Sequence, residues 1–242
     1  MVVEAASGIP FIDDNVFLVF DLETTGVDVT SDLPVSYSIL TYIGNNLANQ
    51  LYSLVWPGVN IPAEASAIHG ISSEDAARVG SDLHDSLYQI VLSLLRASRD
   101  GWYVVGMNVA FDLSMVNFAA KAILGESLVD YGFTAPVIDT LVLDRHLEPY
   151  RKGRRNLDAL CVRYGVASGG FHNALEDTKM TFGVLVSMLE QFPKAIELLD
   201  PTTCTTNMEM LHQKWLSGYN EYLVRGGKEA IAFNGWPFSS AS

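Results

Sequence analysis

The stretch Val16-Phe17-Leu18-Val19-Phe20-Asp21-Leu22-Glu23-Thr24 decides how the chain is read. It opens on an unbroken apolar run, without the alternation of a half-exposed strand, which predicts a central strand buried on both faces. The run ends on a carboxylate. Asp21 and Glu23 stand one residue apart, so the period-two alternation of a strand sends both side chains to the same face. Two like charges so close disfavour each other's ionisation, and a divalent cation between them removes that cost. Thr24-Thr25-Gly26 follows as a turn of small residues, where a ligand can approach the backbone.

Outward from this strand, residues 37–43 and 51–56 are rich in β-branched and aromatic side chains, with Gly44-Asn45-Asn46 as the turn between them. This gives a three-stranded meander. Leu83, Leu87, Ile90, Val91 and Leu94 recur at helical spacing and predict a long amphipathic helix over 82–99. Further strands are expected at 102–105 and 137–139, and helices at 111–123 and 140–147. Asn156 caps a helix over 157–164 that Gly165 stops, and a core helix over 173–191 carries Met180, Val184, Leu185 and Met188. Strands that first run together and then alternate with helices predict an α/β fold with a mixed sheet. Pro193 and Asp200-Pro201-Thr202-Thr203 mark a boundary, giving a main domain over 1–195 and an extension over 196–242 with one more helix at 208–223.

The 242 residues, 49% of them hydrophobic, suffice for one such domain with a sizeable core. A net charge of −13 excludes a protein that coats nucleic acid nonspecifically. Arg145, Arg151, Lys152, Arg154, Arg155 and Arg163 nevertheless fall in one segment that could follow a phosphate backbone. Cys161 and Cys204 form no CxxC pair, and Cys161 sits in apolar company, so buried free thiols are expected. No basic region followed by a continuous apolar stretch opens the chain, and no run is long enough to span a membrane, so a cytoplasmic location is expected.

Asp112 follows Asn108-Val109-Ala110-Phe111 at the start of a helix, where a carboxylate also suits the helix dipole. His172 precedes Asp177 by five residues, about 140° around a helix, so it must sit at or before the helix start to face the same site. Gly169-Gly170 permits that approach, and an imidazole there can act as a general base near neutral pH.

Three segments together carry a resemblance: Phe20-Asp21-Leu22-Glu23-Thr24-Thr25-Gly26, Asn108 through Asp112, and His172-Asn173-Ala174-Leu175-Glu176-Asp177. In that order they resemble the three motifs of the DEDD 3'–5' exonucleases, and the His-x4-Asp form resembles the DEDDh subclass that includes the proofreading epsilon subunit of bacterial DNA polymerase III. Ile68-His69-Gly70-Ile71-Ser72 resembles a further segment of that family near the terminal nucleotide. The resemblance covers roughly residues 14–191. It implies a ribonuclease H-like mixed five-stranded sheet flanked by helices, in which Asp21, Glu23, Asp112 and Asp177 hold two Mg²⁺ or Mn²⁺ ions. It also implies that Asp21 touches both ions, that Glu23 and Asp177 serve the nucleophile side, that Asp112 serves the other ion largely through water, and that His172 is the general base. Thr24, Thr25, His69 and Asn108 are the candidate substrate contacts.

The implied substrate is the 3' end of single-stranded nucleic acid, DNA favoured, cut to nucleoside 5'-monophosphates, with a DNA polymerase in trans as a possible partner. An RNA or oligoribonucleotide exonuclease uses the same chemistry. A catalytically silent binding module would lack a ligand, whereas all five positions are filled. A haloacid-dehalogenase phosphatase reading of Asp21 needs an Asp where Glu23 stands.

Overall fold

The computed structural model describes residues 6–167 and 173–240. A one-turn helix, α1 (Pro10–Asp13), leads into β1 (Val16–Thr24), and the meander continues through β2 (Pro34–Ile43) and β3 (Asn46–Trp56). Two short helices, α2 (Ala63–His69) and α3 (Ser73–Val79), and the two-residue strand β4 (Ser81–Asp82) precede the long helix α4 (Leu83–Asp100). Strand and helix then alternate: β5 (Tyr103–Gly106), α5 (Val109–Leu124), β6 (Val137–Asp139), α6 (Thr140–Leu147), α7 (Leu157–Tyr164) and α8 (Ala174–Gln191). A 3-10 turn, Pro193–Leu198, joins α8 to α9 (Cys204–Arg225). None of these helices is long and apolar enough to cross a membrane.

The sheet runs in the order β4-β3-β2-β1-β5-β6. β1, β2 and β3 are antiparallel neighbours, β5 and β6 run parallel to β1, and β4 runs parallel to β3. The mixed α/β sheet is as expected except for its sixth strand. β4 pairs only through Ser81 and Asp82, too few residues to carry a period.

The apolar part of β1 is central because Phe17, Leu18, Val19 and Phe20 are all buried. Along one face of the strand, Phe17 lies 5.5 Å from Phe182 of α8, whose ring also stacks on Tyr42 of β2 at 3.8 Å. α8 is thereby laid across β1 and β2. Its N-terminus is set by Asn173, whose side chain accepts from the Leu175 amide at 3.0 Å. α4 is capped in the same way by Asp82, which accepts from His84 N at 2.8 Å, and α7 by Asn156.

The residues after the expected boundary pack onto the same core. Tyr103 donates its hydroxyl to Leu199 O at 2.7 Å, and Cys204 and Met208 are buried in the main cluster. β6 is an edge strand, and its Val137 amide is taken by Thr205 Oγ1 at 3.1 Å, so α9 covers part of that edge. The tail then returns to α5. Trp236 is buried, and Ser239 N donates to Ser114 Oγ at 2.8 Å.

Candidate active site

Asp21 and Glu23 point from the end of β1 toward the first turns of α8, which carry Asp177. The neighbour of Asp177, Thr178, fixes this approach. Its hydroxyl lies 2.8 Å from that of Ser38, the β2 residue paired with Asp21, and both groups are buried. As a result one carboxylate oxygen from each of Asp21, Glu23 and Asp177 lies within 4.8 Å of the others.

Asp112 arrives from the opposite edge of β1. β5 pairs with β1 only along Phe17, Leu18 and Val19, so the amide of Leu22 projects beyond the end of its neighbour. Asp112 Oδ1 accepts that amide at 3.1 Å, which ties the first turn of α5 between Asp21 and Glu23. Gly106 allows the close approach, since a Cβ there would meet the Val109 side chain at 2.7 Å and Phe20 O at 3.1 Å. Asn108 then turns the chain into α5 with φ 61°, a left-handed conformation that Asn tolerates better than most residues.

A fifth carboxylate organises this corner, and sequence reading did not single it out. Asp139, at the end of β6, is buried and accepts from Asn108 N at 3.0 Å, Val109 N at 3.1 Å and Leu141 N at 2.9 Å. It therefore caps α6 and holds the start of α5 at once. The signal was present, because an Asp at a strand-to-helix junction is a standard N-cap.

Burial pushes the Asp21 carboxyl well above the ordinary carboxylate range, and the charges of Asp112, Glu23 and Asp177 push it further. Asp112 is raised in the same direction, by burial first, while the Leu22 amide opposes the shift. A donor set of carboxylate oxygens that repel one another in a half-buried corner fits hard divalent cations such as Mg²⁺ or Mn²⁺. Asp112 stands apart from the trio of Asp21, Glu23 and Asp177 but acts on Asp21 through its charge.

The remaining candidates are distributed around this corner. His69 is buried, and its Nδ1 accepts from the Ile71 amide at 3.1 Å, so the ring proton is on Nε2. Nε2 is buried without a formed hydrogen bond. Burial lowers the His69 pKa, and the Thr24 backbone opposes the shift, leaving a neutral imidazole beside the end of β1. Thr24 donates its hydroxyl to Gly26 O at 2.6 Å. Thr25 donates to Asp32 and accepts from Leu33 N, which braces the loop between β1 and β2. His172 lies outside the described residues.

The basic segment is largely turned inward. Asp144, wholly buried, accepts from Arg151 at 2.8 Å, from Arg155 and from the Tyr164 hydroxyl at 3.0 Å. Arg163 is paired with Glu148 at 2.6 Å, and Arg145 lies over the Trp215 ring at 3.4 Å. Only Lys152 and Arg154 of the six are exposed, the other four being half-buried. A continuous phosphate track along this segment is therefore not what these side chains build.

A family model described as Exonuclease (RNase T) matches residues 18–185. The chain belongs to that exonuclease family. As an enzyme it is a hydrolytic exonuclease, and the family span takes in every carboxylate described above. Among curated relatives, the exonuclease is 28% identical over 178 residues to the DNA polymerase III subunit epsilon of Aquifex aeolicus, covering 74% of this chain and 82% of that protein. It is 27% identical over 183 residues to the PolC-type DNA polymerase III of Bacillus subtilis, again over 74% of this chain but only 12% of that protein. Among solved structures, exonuclease I from Methylocaldum szegediense superposes with a TM-score of 0.63 at 23% identity, over 76% of this chain and 42% of that one. Escherichia coli exonuclease I in complex with a dT13 oligonucleotide gives 0.65 at 17% identity, over 76% and 43%. The expected fold agrees with these neighbours.

Proposed function

We propose that this exonuclease is metal dependent and removes nucleotides from the 3' end of single-stranded nucleic acid, DNA in preference to RNA, releasing nucleoside 5'-monophosphates. The observation that carries this reading is the convergence of Asp21, Glu23 and Asp177 at one corner, with Asp112 tied into the strand between the first two. These four residues would hold two Mg²⁺ or Mn²⁺ ions. When bound, such ions supply Lewis acidity toward the phosphate and neutralise the charge that develops on its oxygens.

The chain's own groups do the positioning. Asp21, a member of the trio on which the charge of Asp112 also acts, would serve both ions; Glu23 and Asp177 would serve the side from which water attacks, and Asp112 the leaving-group side. His172 directly precedes Asn173, the cap of α8, and takes the proton of the attacking water. A neutral His69 offers its Nε2 proton to the terminal nucleotide, and Asn108, Thr24 and Thr25 line the same approach. The preference for DNA is supported by the names of the relatives, a DNA polymerase III subunit epsilon and a PolC-type DNA polymerase III, and by the dT13 in complex with the E. coli neighbour. A DNA polymerase in trans, in the cytoplasm, is the partner that follows. Catalysis belongs to residues 1–195, with 196–242 as an extension packed against them.

The test is a gel assay of 5'-labelled single-stranded DNA and RNA of matched sequence with Mg²⁺, Mn²⁺ or EDTA, beside Asp21→Ala. Ladders that shorten from the 3' end only with metal, faster on DNA, are expected, with Asp21→Ala slower by at least ~100-fold. Faster loss of RNA would reverse the substrate assignment, and unchanged turnover by Asp21→Ala would remove the metal site.

A further inference from the structure

Between the end of α6 and α9 lies a cavity of about 560 Å³, within the size range of small-ligand sites. Its wall on α9 is a ladder of rings. Trp215 and Tyr219 stack at 5.2 Å and 11°, and Tyr219 and Tyr222 at 6.2 Å and 23°. Positions 215, 219 and 222 follow the four-then-three spacing of a single helix face. Arg145 covers the Trp215 ring, and Lys214, His146 and Tyr150 complete the rim. None of the residues that line it is acidic, in a chain of net charge −13.

Two details point to a ligand. Arg145 Nε is buried and makes no hydrogen bond, and Lys214 has no ion pair among the described residues. Burial also pulls the Arg145 pKa below its ordinary value, partly offset by Asp139. Gly218, also in the lining, lies inside α9, where glycine weakens a helix, although a Cβ at this position would meet nothing within 4 Å. Packing does not require that glycine. An open floor to the cavity is what its missing side chain leaves.

Stacked rings beside cations, without carboxylates, suit a ligand of planar bases joined by phosphates. We propose that this cavity binds single-stranded nucleic acid, extending the Trp215-Tyr219-Tyr222 ladder with bases at its exposed Tyr219-Tyr222 end and holding phosphates with Lys214 and Arg145, as a second grip on the strand being cut. This rests on the exonuclease reading for the identity of the strand. Proximity supports it as well: Arg145 is six residues along α6 from Asp139, about 9 Å of helix, and Asp139 holds the start of the helix that carries Asp112.

The experiment is fluorescence anisotropy of 5'-labelled oligothymidylates of about 15 and about 3 nucleotides with the full chain in EDTA at low salt, paired with cleavage of the short one in Mn²⁺. Tyr219→Ala and Lys214→Glu each weaken the long oligonucleotide about 10-fold or more, Tyr219→Phe restores it, and cleavage of the short one is unchanged. Gly218→Leu fills the cavity and abolishes the advantage of the long strand while the melting temperature holds or rises. Unchanged length dependence in all these variants overturns the proposal, as does competition by a free mononucleotide at the same affinity as the long strand. Failure of the parent chain to cut even the short substrate in Mn²⁺ overturns the exonuclease reading instead.

Discussion

At the scale of single residues, the site is a place where the chain accepts repulsion. Asp21 is half-buried beside Asp112, Glu23 and Asp177, and both Asp21 and Asp112 have carboxyl pKa values pushed up, first by desolvation. A folded-state pKa above the unfolded value means that the metal-free fold keeps protons that the unfolded chain releases. The stability that these two groups contribute is therefore full below about pH 4 and is lost as pH rises through the raised values. Divalent ions replace those protons, so stabilisation by Mn²⁺ should be larger at pH 8 than at pH 5.5. At a metal concentration ~100-fold above the dissociation constant, the gain of roughly 2.7 kcal/mol raises the melting temperature by about 5–10 °C. Thermal melts with and without Mn²⁺ at the two pH values check this, and an equal shift at both would show that the carboxylates are already ionised in the metal-free fold. Asp139 makes a complementary case. It is a carboxylate satisfied by backbone amides, and Asp139→Ala leaves those amides without a buried acceptor. A loss of about 2–4 kcal/mol in urea unfolding is expected, with reduced activity because Asn108 and the first turn of α5 lose their anchor.

At the scale of elements, what was legible followed from length and caps. α4, α7 and α8 could be placed because each has a full apolar face or a capping side chain, and β1 because its apolar run ends on Asp21. α2 and α3, at seven residues each, and β4, at two, are too short for periodicity to speak. Their position is set by tertiary contacts such as Ser73 Oγ accepting from Ile61 N at 2.8 Å. The metal-ligand candidates could be read from motif order, but Ser38 and Thr178, which lock α8 over β1, could not, because their meeting depends on the register of β2. The basic segment misled for a related reason. Asp144 sits among Leu143, Val142 and Leu141, and nothing in the local pattern says that its buried carboxylate draws Arg151 and Arg155 inward. Asp144→Ala should therefore cost about 3–5 kcal/mol, since it leaves the Tyr164 hydroxyl without its acceptor and removes the buried carboxylate that balances two guanidinium groups. Arg154→Ala, at an exposed position, should leave the unfolding midpoint nearly unchanged. Urea titrations of the two variants separate the brace from the solvated loop, and an Asp144→Ala midpoint as little changed as that of Arg154→Ala is expected to be would mean that the network carries no stability.

At the scale of the whole molecule, one continuous core joins the sheet to the chain that follows it, and several ionisable groups sit inside that junction in neutral form. Burial pushes the Cys204 thiol up to about 12 and the Tyr103 phenol to about 12. The Cys161 thiol is pushed to about 11, and Tyr164 is raised as well, again chiefly by burial. Their ordinary values are 9.0 for the thiols and 10.0 for the phenols. Each group is thus raised in the folded state, and the stability it contributes is full below about pH 9 and is lost as pH climbs from 9 toward 12. Because Cys204 and Tyr103 lie where the C-terminal residues meet the sheet, alkaline weakening should reach the docking of α9 together with the rest of the core. Urea midpoints should hold near pH 8 and fall steadily through about pH 9.5 and 10.5. Both thiols should resist a thiol reagent in the native protein and react together only as it unfolds. A midpoint that stays flat through this range would mean that the thiols and phenols ionise as freely folded as unfolded. Reaction of Cys204 well before Cys161 would mean that α9 leaves the core first, so that the extension and the catalytic unit unfold as separate bodies.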